Sequence, residues 1–83
     1  MLFTLVYEIG DTPEATNTEF FADAEAAKAH ARDSLTDTLG VSSAERGSIS
    51  VGQVVGEDPA EDVEWLGAYD LAKGGEPIWS EED

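Results

Sequence analysis

Over residues 2 to 9, LFTLVYEI, alternate positions place Phe3, Leu5, Tyr7 and Ile9 on one side of the chain and Leu2, Thr4, Val6 and Glu8 on the other. A period of two with apolar residues on both sides predicts an internal strand. GDTPEATN then brings Gly10, Asp11, Pro13 and Asn17, which is loop chemistry. The short aromatic stretch TEFFA, residues 18 to 22, predicts a second strand returning from a long hairpin loop. At Ala24 the period lengthens to that of a helix. Ala24, Ala27, Ala31, Leu35 and Leu39 fall on one stripe, Asp23 supplies an N-cap, and Glu25 places negative charge in the first turn, where the macrodipole favours it. Gly40 is the expected left-handed stop, so the helix is predicted from Ala24 to Leu39. A stripe rich in alanine lets such a helix lie close on a sheet.

SSAERG reads as a turn or short helical wind, and SISVGQVVG predicts a third strand with Ile49, Val51 and Val55 inward and Ser48, Ser50 and Gly52 outward. After the EDPAED connection, Val63, Trp65, Gly67, Tyr69 and Leu71 share the core side of a fourth strand, with Glu64 and Asp70 outward. AKGGEP turns the chain into a short edge strand, IWSE. The expectation is an α+β fold, one helix packed on a small antiparallel sheet in the order ββαβββ, forming one domain over residues 1 to 83.

A chain of 83 residues buries roughly 60 to 65% of its unfolded surface, enough for one core. With 41% hydrophobic residues it is too apolar to be simply disordered, and without cysteine it has neither disulfides nor thiolate metal ligands, which suits a reducing cytoplasm. MLFTLVYEIG has no basic flank and reaches Glu8 too soon for a signal peptide or a membrane span, so a soluble, unexported protein is expected.

Charge changes the picture most. The net charge is −15. A compact domain of this length is about 30 Å across, and about 30 Å of duplex DNA carries roughly 18 phosphates. Residues 57 to 83 hold ten carboxylates and one lysine, a net −9, against −6 over residues 1 to 56. Glu57, Asp58, Glu61 and Asp62 bracket Pro59, Glu64 and Asp70 point outward from the fourth strand, and Glu81, Glu82 and Asp83 close the sequence. A sheet can hold carboxylates in a fixed array, as a tail cannot, and such self-repulsion costs stability. Trp65 is expected in the core. Trp79, beside Pro77 and Ile78 and followed by SEED, is expected half-exposed, as an interface anchor. On the helix, Lys28 and Arg32 share a flank with Glu25, while Asp33 and Asp37 lie opposite with His30.

The one histidine has no cysteine and no evident serine to serve, so no catalytic set is predicted. EDPAED clusters oxygens but lacks the EF-hand pattern, and no cofactor or metal is expected. The sign of the charge argues against direct binding of nucleic acid and for a partner whose surface is basic.

In size, acidity, lack of cysteine and the strand-to-helix entry TEFFADAEAAKAHA, the chain resembles the small phage-encoded inhibitors of host defence, including anti-CRISPR and anti-restriction proteins. The resemblance implies an acidic inhibitor that occupies the nucleic-acid-binding surface of a defence protein, most concretely a CRISPR effector subunit, by DNA mimicry inside the host cell. It carries no motif, so it transfers no site residues. The expected partner-binding set is therefore Glu57, Asp58, Glu61, Asp62, Glu64, Asp70, Trp79, Glu81, Glu82 and Asp83. Two other readings stand beside it. One is an antitoxin neutralising a basic toxin, with DAEAAKAHARDSL similar to the helix of HicB-type antitoxins. The other is a salt-adapted acidic protein without mimicry.

Overall fold

The structure, a computed structural model, describes residues 1 to 82; the expected partner residue Asp83 lies outside the described residues. Five strands and one helix follow in the order β1 (Leu2–Ile9), β2 (Ala15–Phe20), α1 (Ala24–Val41), β3 (Arg46–Val54), β4 (Val63–Ala72) and β5 (Ile78–Glu81). This is the α+β fold and the ββαβββ order read from the sequence. The strands form one antiparallel sheet in the spatial order β2-β1-β3-β4-β5, with β1 internal. Because β2 and β3 both run antiparallel to β1, they are parallel to each other, and α1 makes the crossover between them.

The helix covers one face of the sheet. Ala27, Ala31, Leu35 and Leu39 are its buried stripe, and they meet Phe3, Leu5, Ile9, Ile49, Val51 and Leu71 from the strands. The two alanines bring the backbone of α1 close to β3, the strand it covers most. Leu35 is fully buried, so truncating it to alanine would cost about 2 to 5 kcal/mol. Asp23 caps the helix as expected, its side chain accepting the amide of Ala26 at 2.9 Å. Gly40 does not stop the helix. It lies inside α1, and the helix ends at Ser42, an extended residue whose amide donates to the Thr38 carbonyl at 3.0 Å.

The second strand also falls earlier than TEFFA. Gly10, at φ 57, and the Thr12 amide bonded to the Ile9 carbonyl close the turn quickly, so Ala15 already pairs with Tyr7 and Phe20 with Leu2. Phe21 has left the strand and packs edge-on against Phe3, ring centroids 5.9 Å apart.

The largest departure is a β-bulge in β4. Val51 pairs with Gly67, but Gly52 pairs with Trp65, so Leu66 is an extra residue. Beyond it the alternation inverts. Gly67, Tyr69 and Leu71 face the helix, whereas Trp65 pairs with Gly52, which itself pairs with Thr4, on the face the helix leaves open. Trp65 is accordingly 40% exposed rather than in the core, and Leu66 packs against the core in its place. Val63 goes with Trp65 to the open face, and Val55 lies past the end of β3 and is exposed.

Candidate functional site

The open face of the sheet is built by register. Thr16, Val6, Ser50, Ala68 and Ser80 pair in sequence across all five strands, giving one row of small side chains from edge to edge. Four inter-strand spacings make that row about 19 Å long. One bank is the next row, in which Trp65 lies over Gly52; a Cβ at Gly52 would come 2.8 Å from Cε3 of the indole and overlap a methyl of Val63. The other bank is Glu8, Ser48, Asp70 and Ile78, with Arg46 beside Glu8 and Asp70. Within the resulting trough an open hollow of about 470 Å³ lies over Val6, Ser50, Ala68 and Ser80 beside Trp65, bordered by Glu14, Glu81 and Glu82.

The acidic connection between β3 and β4 folds over one end of this face. The Thr4 hydroxyl donates to the Pro59 carbonyl at 3.2 Å, and Thr4 is buried beneath the loop. Two of the loop's carboxylates hold its own backbone: Asp58 Oδ1 accepts the Ala60 amide at 2.8 Å and Asp62 Oδ2 accepts the Asp58 amide at 3.0 Å. Glu57 and Glu61 are exposed and free of such bonds. The acids expected to bind a partner are therefore brought together only in part. Glu57, Asp58, Glu61 and Asp62 stand at one end of the open face, Asp70 at the other, and Glu82 on its rim, while Glu81 borders the hollow from the row of Gly67, which faces the helix. Glu64, separated from Asp70 by the bulge, pairs with Gln53 in the row of Phe3 and faces the helix side.

The two tryptophans depart from expectation in different ways. Trp79 pairs with Tyr69 on the helix face, its ring centroid 4.9 Å from that of Tyr69, and lies over Gly67. Lys28 sits above the indole with Nζ 4.4 Å from the centroid, and the indole Nε1 is buried without a hydrogen-bond partner. Trp79 is thus half-buried, as expected, but engaged within the fold. Trp65, which alternation assigned to the core, is instead exposed on the open face, where Phe20, paired with Leu2 at the β2 edge, is exposed as well.

The bases are mostly on the helix side. Lys28 contacts Glu25 at 3.6 Å, Arg32 contacts Asp33 at 3.3 Å, and Lys73 donates to the Ser42 carbonyl at the end of α1. Arg32 thus links the flank of Glu25 and Lys28 to that of Asp33. Only Arg46 of the four basic residues lies on the open face.

Between β2 and α1 a polar cluster forms: Glu19 Oε2 and Ser34 Oγ each lie 3.4 Å from His30 Nε2, Asn17 donates to Glu19 at 2.7 Å, and Phe21 packs on the imidazole. A serine–histidine–carboxylate relay needs its two partners on opposite ring nitrogens, and here both approach Nε2. The cluster ties the edge strand to the helix. Burial, opposed by a hydrogen bond with Ser34 and reinforced by the Glu19 charge, pushes the Tyr7 phenol above its ordinary value.

Among the described residues no group of three or more acidic or imidazole side chains converges to hold a metal ion, and no helix is long and apolar enough to cross a membrane. Fold and site together describe a five-stranded antiparallel sheet with one helix-covered face and one acid-rimmed open face. Comparison with protein-family models, curated proteins and solved structures returns no match.

Proposed function

We propose that this protein is an acidic inhibitor that occupies the nucleic-acid-binding surface of a basic protein in the cytoplasm, most concretely a CRISPR effector subunit, by mimicking DNA. The observation that carries the reading is the segregation of charge. Three of the four bases are spent against the helix side, while the open face carries carboxylates at both ends and along its rim. The long axis of the domain is 37 Å, a length over which duplex DNA holds about 22 phosphates, against the net −15 here. A basic groove that takes a duplex would meet a comparable field, and association would be steered and sensitive to salt.

The test is competition. The protein should displace a labelled duplex from a CRISPR effector complex, with an apparent affinity that falls as salt rises, and should retain no duplex itself. Reversing Glu57, Glu61, Glu81 and Glu82 to lysine should remove the effect, whereas the same change at Glu25, Asp37, Glu45 and Glu76, also exposed, should weaken it far less. Asp58 and Asp62 are left intact because they hold the loop. Equal loss in both sets would reduce the activity to bulk charge, and displacement of no basic protein would overturn the reading.

A second reading, adaptation to a salt-rich interior, draws support from acids outside the open face, such as Glu25, Asp33, Asp37, Glu45 and Glu64. It predicts a large gain of stability at molar salt and no displacement of nucleic acid.

A further inference from the structure

We propose that the trough on the open face is the seat of an extended, arginine-bearing segment of the partner, with Trp65 as the platform for one guanidinium. This rests on the inhibitor reading and names the part of the partner it engages. Three observations converge on it.

The first is shape. The row Thr16, Val6, Ser50, Ala68 and Ser80 gives a floor of small side chains about 19 Å long, which accommodates about six residues of extended chain. Among the described residues no element covers this row, whereas the neighbouring row at Thr4 is covered by the loop carrying Pro59.

The second is the aromatic. Trp65 is 40% exposed at the bank of the trough, and Gly52 leaves room for its ring to lie along the sheet. An indole with one face open to solvent offers a flat, electron-rich surface on which a planar cation can stack. The same molecule shows what an indole in this acidic setting takes: Trp79 carries Lys28, with Nζ 4.4 Å from its centroid. Among the described residues Trp65 has no such cation.

The third is charge. Glu14, Glu81 and Glu82 border the trough, Glu57 and Glu61 stand beyond the bank that carries Trp65, and Glu8 and Asp70, with Arg46 beside them, lie on the opposite bank. An arginine stacks its plane on an indole while its N–H groups fork onto carboxylates, a combination that lysine cannot match. A second copy of this chain is the wrong occupant, because it would bring −15 against −15.

The experiment uses the intact protein, uniformly labelled with ¹⁵N, and hexaarginine as probe, with hexalysine and hexaglutamate as comparisons. The spectrum holds two indole N–H signals, one for each tryptophan, assigned with Trp65→Phe. Hexaarginine should shift the Trp65 signal and leave that of Trp79, which is buried under Lys28, nearly in place. Its dissociation constant should rise about 5- to 30-fold in Trp65→Ala, the range expected for loss of a partly desolvated cation–π contact, and by less in Trp65→Phe, which keeps an aromatic face. Hexalysine should bind more weakly, and hexaglutamate not at all. Circular dichroism would verify that each variant is folded, which the exposed position of Trp65 favours. Hexaarginine binding that leaves the Trp65 signal unmoved, or that is equal in wild type and Trp65→Ala, would overturn the proposal and leave the charge-based inhibitor reading standing. Binding at Trp65 without displacement of duplex from any basic protein would do the opposite.

Discussion

Gly67→Ala isolates the contact on which the inverted half of the sheet depends. Gly67 has φ 154, a conformation L side chains rarely adopt, and it lies directly after the bulge residue Leu66. A Cβ there would overlap the Ser80 carbonyl oxygen and come 2.7 Å from Cζ2 of Trp79. The obstacle is backbone on one side and a ring held by Tyr69 and Lys28 on the other, so neither can yield cheaply. Backbone strain costs about 1 to 3 kcal/mol and overpacking a further 1 to 3 kcal/mol. Together they predict a loss of about 3 to 5 kcal/mol from a domain whose whole stability is roughly 4 to 12 kcal/mol. The melting temperature followed by circular dichroism should fall by at least about 12 °C. Gly40→Ala is the matched control. No atom lies within 4 Å of a Cβ at Gly40, which sits in the last turn of α1, so alanine should be neutral or stabilise by about 0.5 kcal/mol. A Gly67→Ala protein that melts within a few degrees of the control would refute the seating of Trp79 and Ser80 over this glycine.

Raising NaCl from about 0.01 M to 0.1 M shortens the Debye length from about 30 Å to about 10 Å, which should screen the self-repulsion of a −15 domain and raise its melting temperature; an unchanged value would mean the acids are locally compensated. Because burial raises the Tyr7 phenol above 10.0, its contribution is fully present below pH 10 and is lost as pH rises through the folded-state value. Alkaline melts should therefore fall less steeply for Tyr7→Phe than for wild type, and parallel curves would contradict this. Thr4→Val removes the bond to the Pro59 carbonyl while keeping the shape of the side chain, and should cost about 1 kcal/mol and speed amide exchange across residues 55 to 62. Unaltered exchange there would show that the loop is held by its own Asp58 and Asp62 bonds alone.

The amino-acid sequence by itself determined the element order, the helix stripe Ala27, Ala31, Leu35 and Leu39, the Asp23 cap, and the inward set Phe3, Leu5, Ile49 and Val51. These are local patterns, in which the period of the hydrophobic positions matches the period of the backbone. The tertiary structure decided which tryptophan is exposed. Period-two alternation assigns Trp65 to the side of Tyr69 and Leu71 only if the register is unbroken, and the extra residue Leu66 breaks it. A signal was present in WLGAY, where two large apolar residues adjoin and a glycine interrupts the strand, the composition of a bulge. Its position still depends on what lies opposite: Gly52 makes space for Trp65 on one face, and Gly67 makes space for Trp79 on the other. The same holds for the acids. Their number and clustering are properties of the chain, but Glu64 and Asp70 lie on opposite faces, and Asp58 and Asp62 are bound into their own loop, because pairing and loop closure are settled between segments distant in sequence.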